Sequence, residues 1–371
     1  MPSAADRATV DCLAQQWAKR YVQNLKSGAE PQSQQSSSVL SLAGRQQTAD
    51  KLMQVLRTVS VQAWSLVENL LAKEVQRHSI EPRLIDPWQI SSDYYQVYSK
   101  TLELYTRSGT MQPLSQIVNL PNAENILTDL IPPPRLATQI GSRLSSMRKK
   151  YTQQDPRVIG FVSMQFHYTS KMLLEQLSKP EQVLMSAYFK VIDDYLYMPL
   201  YRAYDAAALH QPDSIALSAV HQLLPACSST AQAICQRVLR VYPNHRCYSG
   251  ALADPAVQVS TVRDVEMFQV YLWVAALEGS VSVLQNELFP LCVMLYPTLK
   301  VNWELVRLML HMLDQHIRDR LTPAQAETIL PYSDVLRHMF SPEVFGELEK
   351  SQASESDDLW ENMLAAWQNL N

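Results

Sequence analysis

The sequence predicts an all-α protein, and three observations carry that reading. Only 8 of its 371 residues are glycine, about a third of the usual share, so tight turns and left-handed backbone are scarce. Apolar residues recur at helical spacing along most of the chain. No segment shows a convincing period-2 alternation, and no repeat of 20–50 residues is visible. With 47% hydrophobic residues the chain can bury a substantial core.

The elements follow in order. Ala4–Lys26 reads as a helix with Val10, Leu13, Trp17, Tyr21 and Leu25 on one face. Gly28–Ser38 contains a Gln/Ser run that buries little, so residues 1–27 are expected as a separate helix and 28–47 as a polar linker. Thr48–His78 carries Leu52, Val55, Leu56, Val59, Ala63, Leu66, Leu70 and Leu71, and Pro82 and Pro87 are expected to break it. Asp93–Arg107 is a third helix. Pro132–Pro134 reads as a stop, with Arg135–Tyr151 a fourth helix after it. These make a helical N-terminal region over 48–154.

Asp155 and Pro156 suit a cap and a first turn, so a helix opens there. Lys179-Pro180 interrupts it, and Glu181–His210 is expected to run on unbroken. Regular helical segments follow: Ser214–Leu224, Ser228–Tyr242, Ser260–Leu277, Val281–Leu295, Val301–Leu321 and Pro323–Phe340. Ser260–Leu277 is polar in its expected first turn (Arg263, Asp264, Glu266) and then apolar nearly all round, which marks a central helix with charge only at its mouth. Residues 346–357 read as an acidic linker. Residues 358–371 read as an amphipathic helix with Leu359, Trp360, Met363, Leu364, Trp367 and Leu370 on one face, opened by Asp358 and Glu361.

The residues from about Ser214 to Phe340 resemble the globin-like fold of the phycobiliproteins. Ser228–Arg240 looks like that family's second core helix. Val262–Leu284 looks like its chromophore helix and the turn after it, where the family has Arg-Asp, an aromatic, then Gly-x-x-Ser-x-Leu; here stand Arg263, Asp264, Tyr271, Gly279, Ser282 and Leu284. The resemblance implies a globin-like domain over 155–345, counting the helical pair that family members carry ahead of the core, and a cyanobacterial or related photosynthetic setting. It also implies what is missing. The family fixes its bilin to a cysteine two residues before the arginine, and that position is Thr261, which cannot form a thioether. No covalent cofactor is therefore expected. Arg263, Asp264 and Tyr271 remain as candidates for a non-covalent tetrapyrrole, since the family's aspartate accepts from pyrrole N–H groups and its arginine pairs with a propionate. The bland alternative is a polar helical turn. A haem globin fits less well, because Val281–Leu295 contains no histidine.

Catalytic signatures are not apparent: there is no G-x-S-x-G, G-x-G-x-x-G, Walker loop or H-E-x-x-H. Asp193-Asp194 reads as a helix-surface pair, and His311 and His316 are five apart and diverge, so no metal site is expected. Tyr197, Tyr201 and Tyr204 share one face of the expected helix and read as core or subunit interface, with stacking on a flat ligand the alternative. Trp360, Leu364 and Trp367 either fold back onto the body or dock into a partner. A net charge of -4 gives no pull toward nucleic acid. Five cysteines without C-x-x-C suit a reducing cytosol. The longest apolar runs fall short of the ~20 residues that span a bilayer, and there is no secretory pattern, so the expected location is cytoplasmic or peripheral to a membrane, which the resemblance implies is the thylakoid.

The resemblance thus implies first a non-enzymatic accessory protein of bilin or phycobilisome metabolism that binds a tetrapyrrole non-covalently or acts as an assembly factor, with phycobiliproteins, bilin-biosynthesis enzymes or a second copy as partners. An interaction adaptor with a filled, ligand-free pocket is the alternative, and a bilin-attaching enzyme comes third.

Overall fold

The computed structural model describes residues 13–21, 38–117 and 123–345. Helices make up most of the described residues, and the chain is all-α in class. It divides into two compact units, one formed by residues 1–72 and 81–208 and the other by 73–80 and 209–371.

The long helix α1 (Leu42–Arg77), which belongs to the first unit as far as Ala72, starts six residues earlier than predicted, with the Ser41 hydroxyl accepting from the Gly44 N–H at 3.1 Å. Leu52, Leu56, Val59, Ala63, Val67 and Leu71 form its buried stripe, whereas Leu66 lies on the outer side. Helix α2 (Pro87–Thr106) uses the expected breaker as its first residue: Asp86 caps it, accepting from Trp88 and Gln89, and Pro87 sits where an N–H has no intrahelical acceptor. The same physics turns the expected proline stop into a start, since Pro132 is the cap of α3 (Pro133–Thr152) and Pro133 and Pro134 lie in its first turn. Helix α4 (Val158–Glu175) follows, then α5 (Lys179–Tyr197), opened by a capping box between Ser178 and Glu181.

The helix expected to run unbroken over Glu181–His210 is broken. Pro199 cannot donate an N–H and forces Met198 into extended backbone (φ -113°, ψ 146°), so α5 ends and α6 (Leu200–Ala207) begins. Helices α3 and α4 both pack along α5. The compact units therefore meet in the chain at 208/209, whereas the sequence reading set a boundary at 154/155; residues 155–208 pack with the helices before them.

Two strands that the sequence did not announce, β1 (Ser108–Pro113) and β2 (Leu127–Leu130), pair antiparallel with an irregularity between Ser108 and Gln112. Residues 108–111 of β1 are all exposed, so no face demanded alternating apolar residues. Buried polar ties hold this unit together. Arg45 is fully buried and pairs with Asp129 of β2 at 2.8 Å. Glu181 accepts from Thr48 and Lys51 of α1, linking α1 to α5.

The second unit contains α7 (Ile215–Leu223), α8 (Cys227–Val241), α9 (Pro255–Glu278), α10 (Phe289–Thr298), α11 (Trp303–Arg320) and α12 (Pro323–Met339). A two-residue hairpin, β3 (Arg246–Cys247) and β4 (Gly250–Ala251), links α8 to α9. Helices α8 and α9, α11 and α12, and α7 and α12 pack together. Every residue from Val265 to Leu277 is buried, as expected of a central helix. Helix α9 ends at Gly279, whose φ of 61° is the left-handed conformation of a helix stop. A π turn, Leu284–Leu288, leads into α10.

Candidate functional site

Helix α9 starts at Pro255, so Arg263, Asp264 and Glu266 lie more than a turn inside it and not in its first turn as predicted. Arg263 and Asp264 are half-buried. Glu266 is a correction to the predicted mouth of charges: it is 1% exposed, and its carboxylate accepts from the Ser228 hydroxyl of α8 at 2.6 Å. One turn on, the Gln269 amide donates to the carbonyls of Cys227 and Val265 at 3.0 and 3.3 Å. The polar residues of α9 thus tie it to the start of α8, which answers the cost of burying them.

Tyr271 lies two turns beyond Asp264 and is fully buried; its hydroxyl donates to Glu287 Oε1 at 2.6 Å. Glu287 belongs to the π turn, where the wider turn shifts the register of the side chains that follow. Sequence reasoning missed Glu287. The available signal was the polar triplet Gln285-Asn286-Glu287 between apolar neighbours. The second unit also holds an aromatic cluster: Phe268, Phe289, Trp303, Phe340 and Phe345 meet with ring centroids 4.3–6.2 Å apart in the closest pairs.

Thr261, at the position the resemblance gives to the attachment cysteine, is buried and donates to the Val257 carbonyl at 2.9 Å. Two cysteines come within electrostatic reach of Asp264. Burial, and then the Asp264 charge, raises the Cys247 thiol; the same two causes hold the fully buried Cys292 well above its ordinary value, against a hydrogen bond with Tyr296. Both thiols are thereby kept protonated and poorly nucleophilic.

The other candidates lie elsewhere. Tyr197 ends α5, while Tyr201 and Tyr204 sit on α6, so the break at Pro199 removes the single helical face on which the three were expected. Tyr197 and Tyr204 are buried in the first unit and unavailable to a partner; Tyr201 is half-buried between Tyr195 and Tyr204, with centroids 5.7 and 5.5 Å away. Asp194 is likewise a correction, being 1% exposed and paired with Lys190 at 2.9 Å. Asp193 lies 3.7 Å from His167. Asp314 is buried against Arg318, Arg337 and Ser333, with His311 and His316 on other partners. Among the described residues no cluster of three or more His, Cys, Asp or Glu could hold a metal ion, and no helix is long and apolar enough to cross a membrane. Trp360, Leu364 and Trp367 lie outside the described residues.

No protein-family model, curated protein or solved structure matches the chain.

Proposed function

We propose that this chain is a non-enzymatic accessory protein of bilin or phycobilisome metabolism, built around a phycobiliprotein-like globin domain, and that it acts by holding a protein partner. The observation that supports this best is Tyr271. At the position the resemblance gives to an aromatic of the chromophore helix, its ring is fully buried and its hydroxyl is engaged by Glu287. A side chain fixed in this way favours a pocket filled from within. The partners that fit the reading are phycobiliproteins or bilin-biosynthesis enzymes, met in the cytoplasm or at the thylakoid surface.

A second reading has its own observation. Arg263 and Asp264 are only half-buried, on the stretch of α9 that precedes its fully buried part. A carboxylate and a guanidinium there suit the pyrrole N–H groups and propionate of a non-covalent tetrapyrrole.

An absorption titration with biliverdin, phycocyanobilin and haem separates the two, run on the wild type and on Asp264→Ala beside a binding assay with purified phycobiliproteins. Unchanged spectra with saturable phycobiliprotein binding support the adaptor. A saturable spectral change weakened by Asp264→Ala moves the assignment to the tetrapyrrole. Neither signal refutes both.

A further inference from the structure

We infer that the last residues of the chain, 346–371, seat on the face of the second unit formed by the end of α8, the β3–β4 hairpin and the first turns of α9. The inference stands apart from the partner reading above. It rests on apolar exposure, charge and reach.

These elements carry three exposed apolar side chains. Val241, Tyr248 and Val259 are 45%, 52% and 69% exposed. The two helices that carry Val241 and Val259 pack side by side, with Cys235 Sγ 3.8 Å from the Gln258 carbonyl. The end of α8 and the hairpin also carry positive charge. Residues 227–253 contain Arg237, Arg240 and Arg246 and no carboxylate. All three are exposed, and none is ion-paired with another described residue. The first acid that follows is Asp254, whose Oδ2 already accepts from the Ala251 N–H at 2.7 Å.

The proposed occupant has the complementary pattern. Residues 346–371 carry six acids and one lysine, and Glu355, Asp357 and Asp358 directly precede the Trp360, Leu364 and Trp367 stripe. Each tryptophan offers about 150–250 Å² of surface to bury. The reach is sufficient. The ring of Phe345, the last described residue, lies 4.3 Å from that of Trp303. Leu299, four residues before Trp303, accepts from the Tyr248 N–H of the hairpin at 2.8 Å. Four residues span at most about 14 Å, so with the two ring side chains the chain leaves roughly 30 Å or less from the hairpin, and residues 346–357 can extend about 40 Å. A tether of that length gives the segment a millimolar effective concentration that no free occupant shares.

Hydrogen exchange on the full chain tests this, comparing the wild type with Trp360→Ala/Trp367→Ala, Arg240→Glu and Arg240→Glu/Asp358→Arg. Amides of residues 246–262 are expected to exchange about tenfold faster in the tryptophan variant, the ratio for a docked form that outnumbers the free one ten to one. Arg240→Glu should lose much of the same protection and the charge-swapped pair should regain it, with the wild-type protection falling as salt is raised. Equal exchange in all four proteins overturns the proposal. So does protection that grows with protein concentration alongside a sedimenting dimer that the tryptophan variant abolishes, because the occupant is then a second copy.

Discussion

Glu181 gives a test in which charge, burial and pH act together. Its carboxylate is buried between α1 and α5 and accepts from the Ser178 hydroxyl at 2.6 Å, the Ser178 N–H at 2.8 Å, the Thr48 hydroxyl at 2.8 Å and Lys51 at 3.0 Å. Burial alone would raise its pKa, but those donors outweigh burial and bring it from the ordinary 4.5 down to about 2. A depressed folded-state pKa means stability that is fully present above the unfolded value and is lost as the pH falls from there toward the folded one. The drop corresponds to roughly 3 kcal/mol, at about 1.4 kcal/mol per factor of ten in the acid constant. Lys51 is half-exposed and its share is screened by solvent, so about 2 kcal/mol is the expected net effect. Glu181→Gln keeps the volume and one acceptor but removes the charge. Urea unfolding followed by far-ultraviolet ellipticity should show the variant about 2 kcal/mol less stable at pH 7, with the gap closing to under about 0.5 kcal/mol near pH 2.5. A gap that stays constant with pH, or none at pH 7, would refute the electrostatic account.

Three further outcomes are expected. Tyr271→Phe removes a donor to a buried carboxylate and should cost about 1.5–3 kcal/mol in chemical denaturation, with no change in stability refuting a contribution from that hydrogen bond. Gly279→Ala places a Cβ at φ 61° and should cost about 1 kcal/mol by the same measurement, with little change in helix content, since the added Cβ meets only the Tyr332 hydroxyl, at an ordinary 3.9 Å. Gly141→Ala puts a Cβ 3.0 Å from the Tyr201 hydroxyl and 3.1 Å from the Tyr195 ring, so a loss of about 1–3 kcal/mol is expected. Tyr201→Phe in that background should return part of it; a further loss would show that the rings are not what the new methyl group meets.

What was legible in the sequence and what was not divides along physical lines. Helices whose apolar residues recur locally were readable, as in α1, α8 and the wholly buried stretch of α9. Prolines marked boundaries, but which side of the boundary is helical was not local information. Pro87 and Pro133 begin helices because a first-turn N–H has no acceptor to lose, whereas Pro199 ends one in the middle of an apolar run. The hairpin of β1 and β2 left no signal because its first strand covers no core. At the candidate site, Arg263, Asp264 and Tyr271 could be picked out because they fall in one short segment. Their surroundings could not: Ser228 and Glu266 are bonded across 38 residues of sequence, and Tyr271 and Glu287 across 16. Such pairs are set by packing, and no local period encodes them. Asp194 illustrates the same limit, since its burial depends on what lies opposite α5.

Helix α1 runs on past residue 72, and its last turns, with the bend through Ile80, belong to the second unit. There Glu74 is held below its ordinary pKa: burial opposes this, but His78, Arg77 and the Thr298 hydroxyl outweigh it. The second unit is thus not a contiguous stretch of chain. On the ribosome, residues 73–80 emerge more than a hundred residues before 209–345, and at about 5–20 residues per second they wait several seconds or more for the rest of their unit. A gene fragment beginning at residue 209 encodes a unit lacking one of its own pieces, so truncation, domain grafting and circular permutation should all respect the early segment.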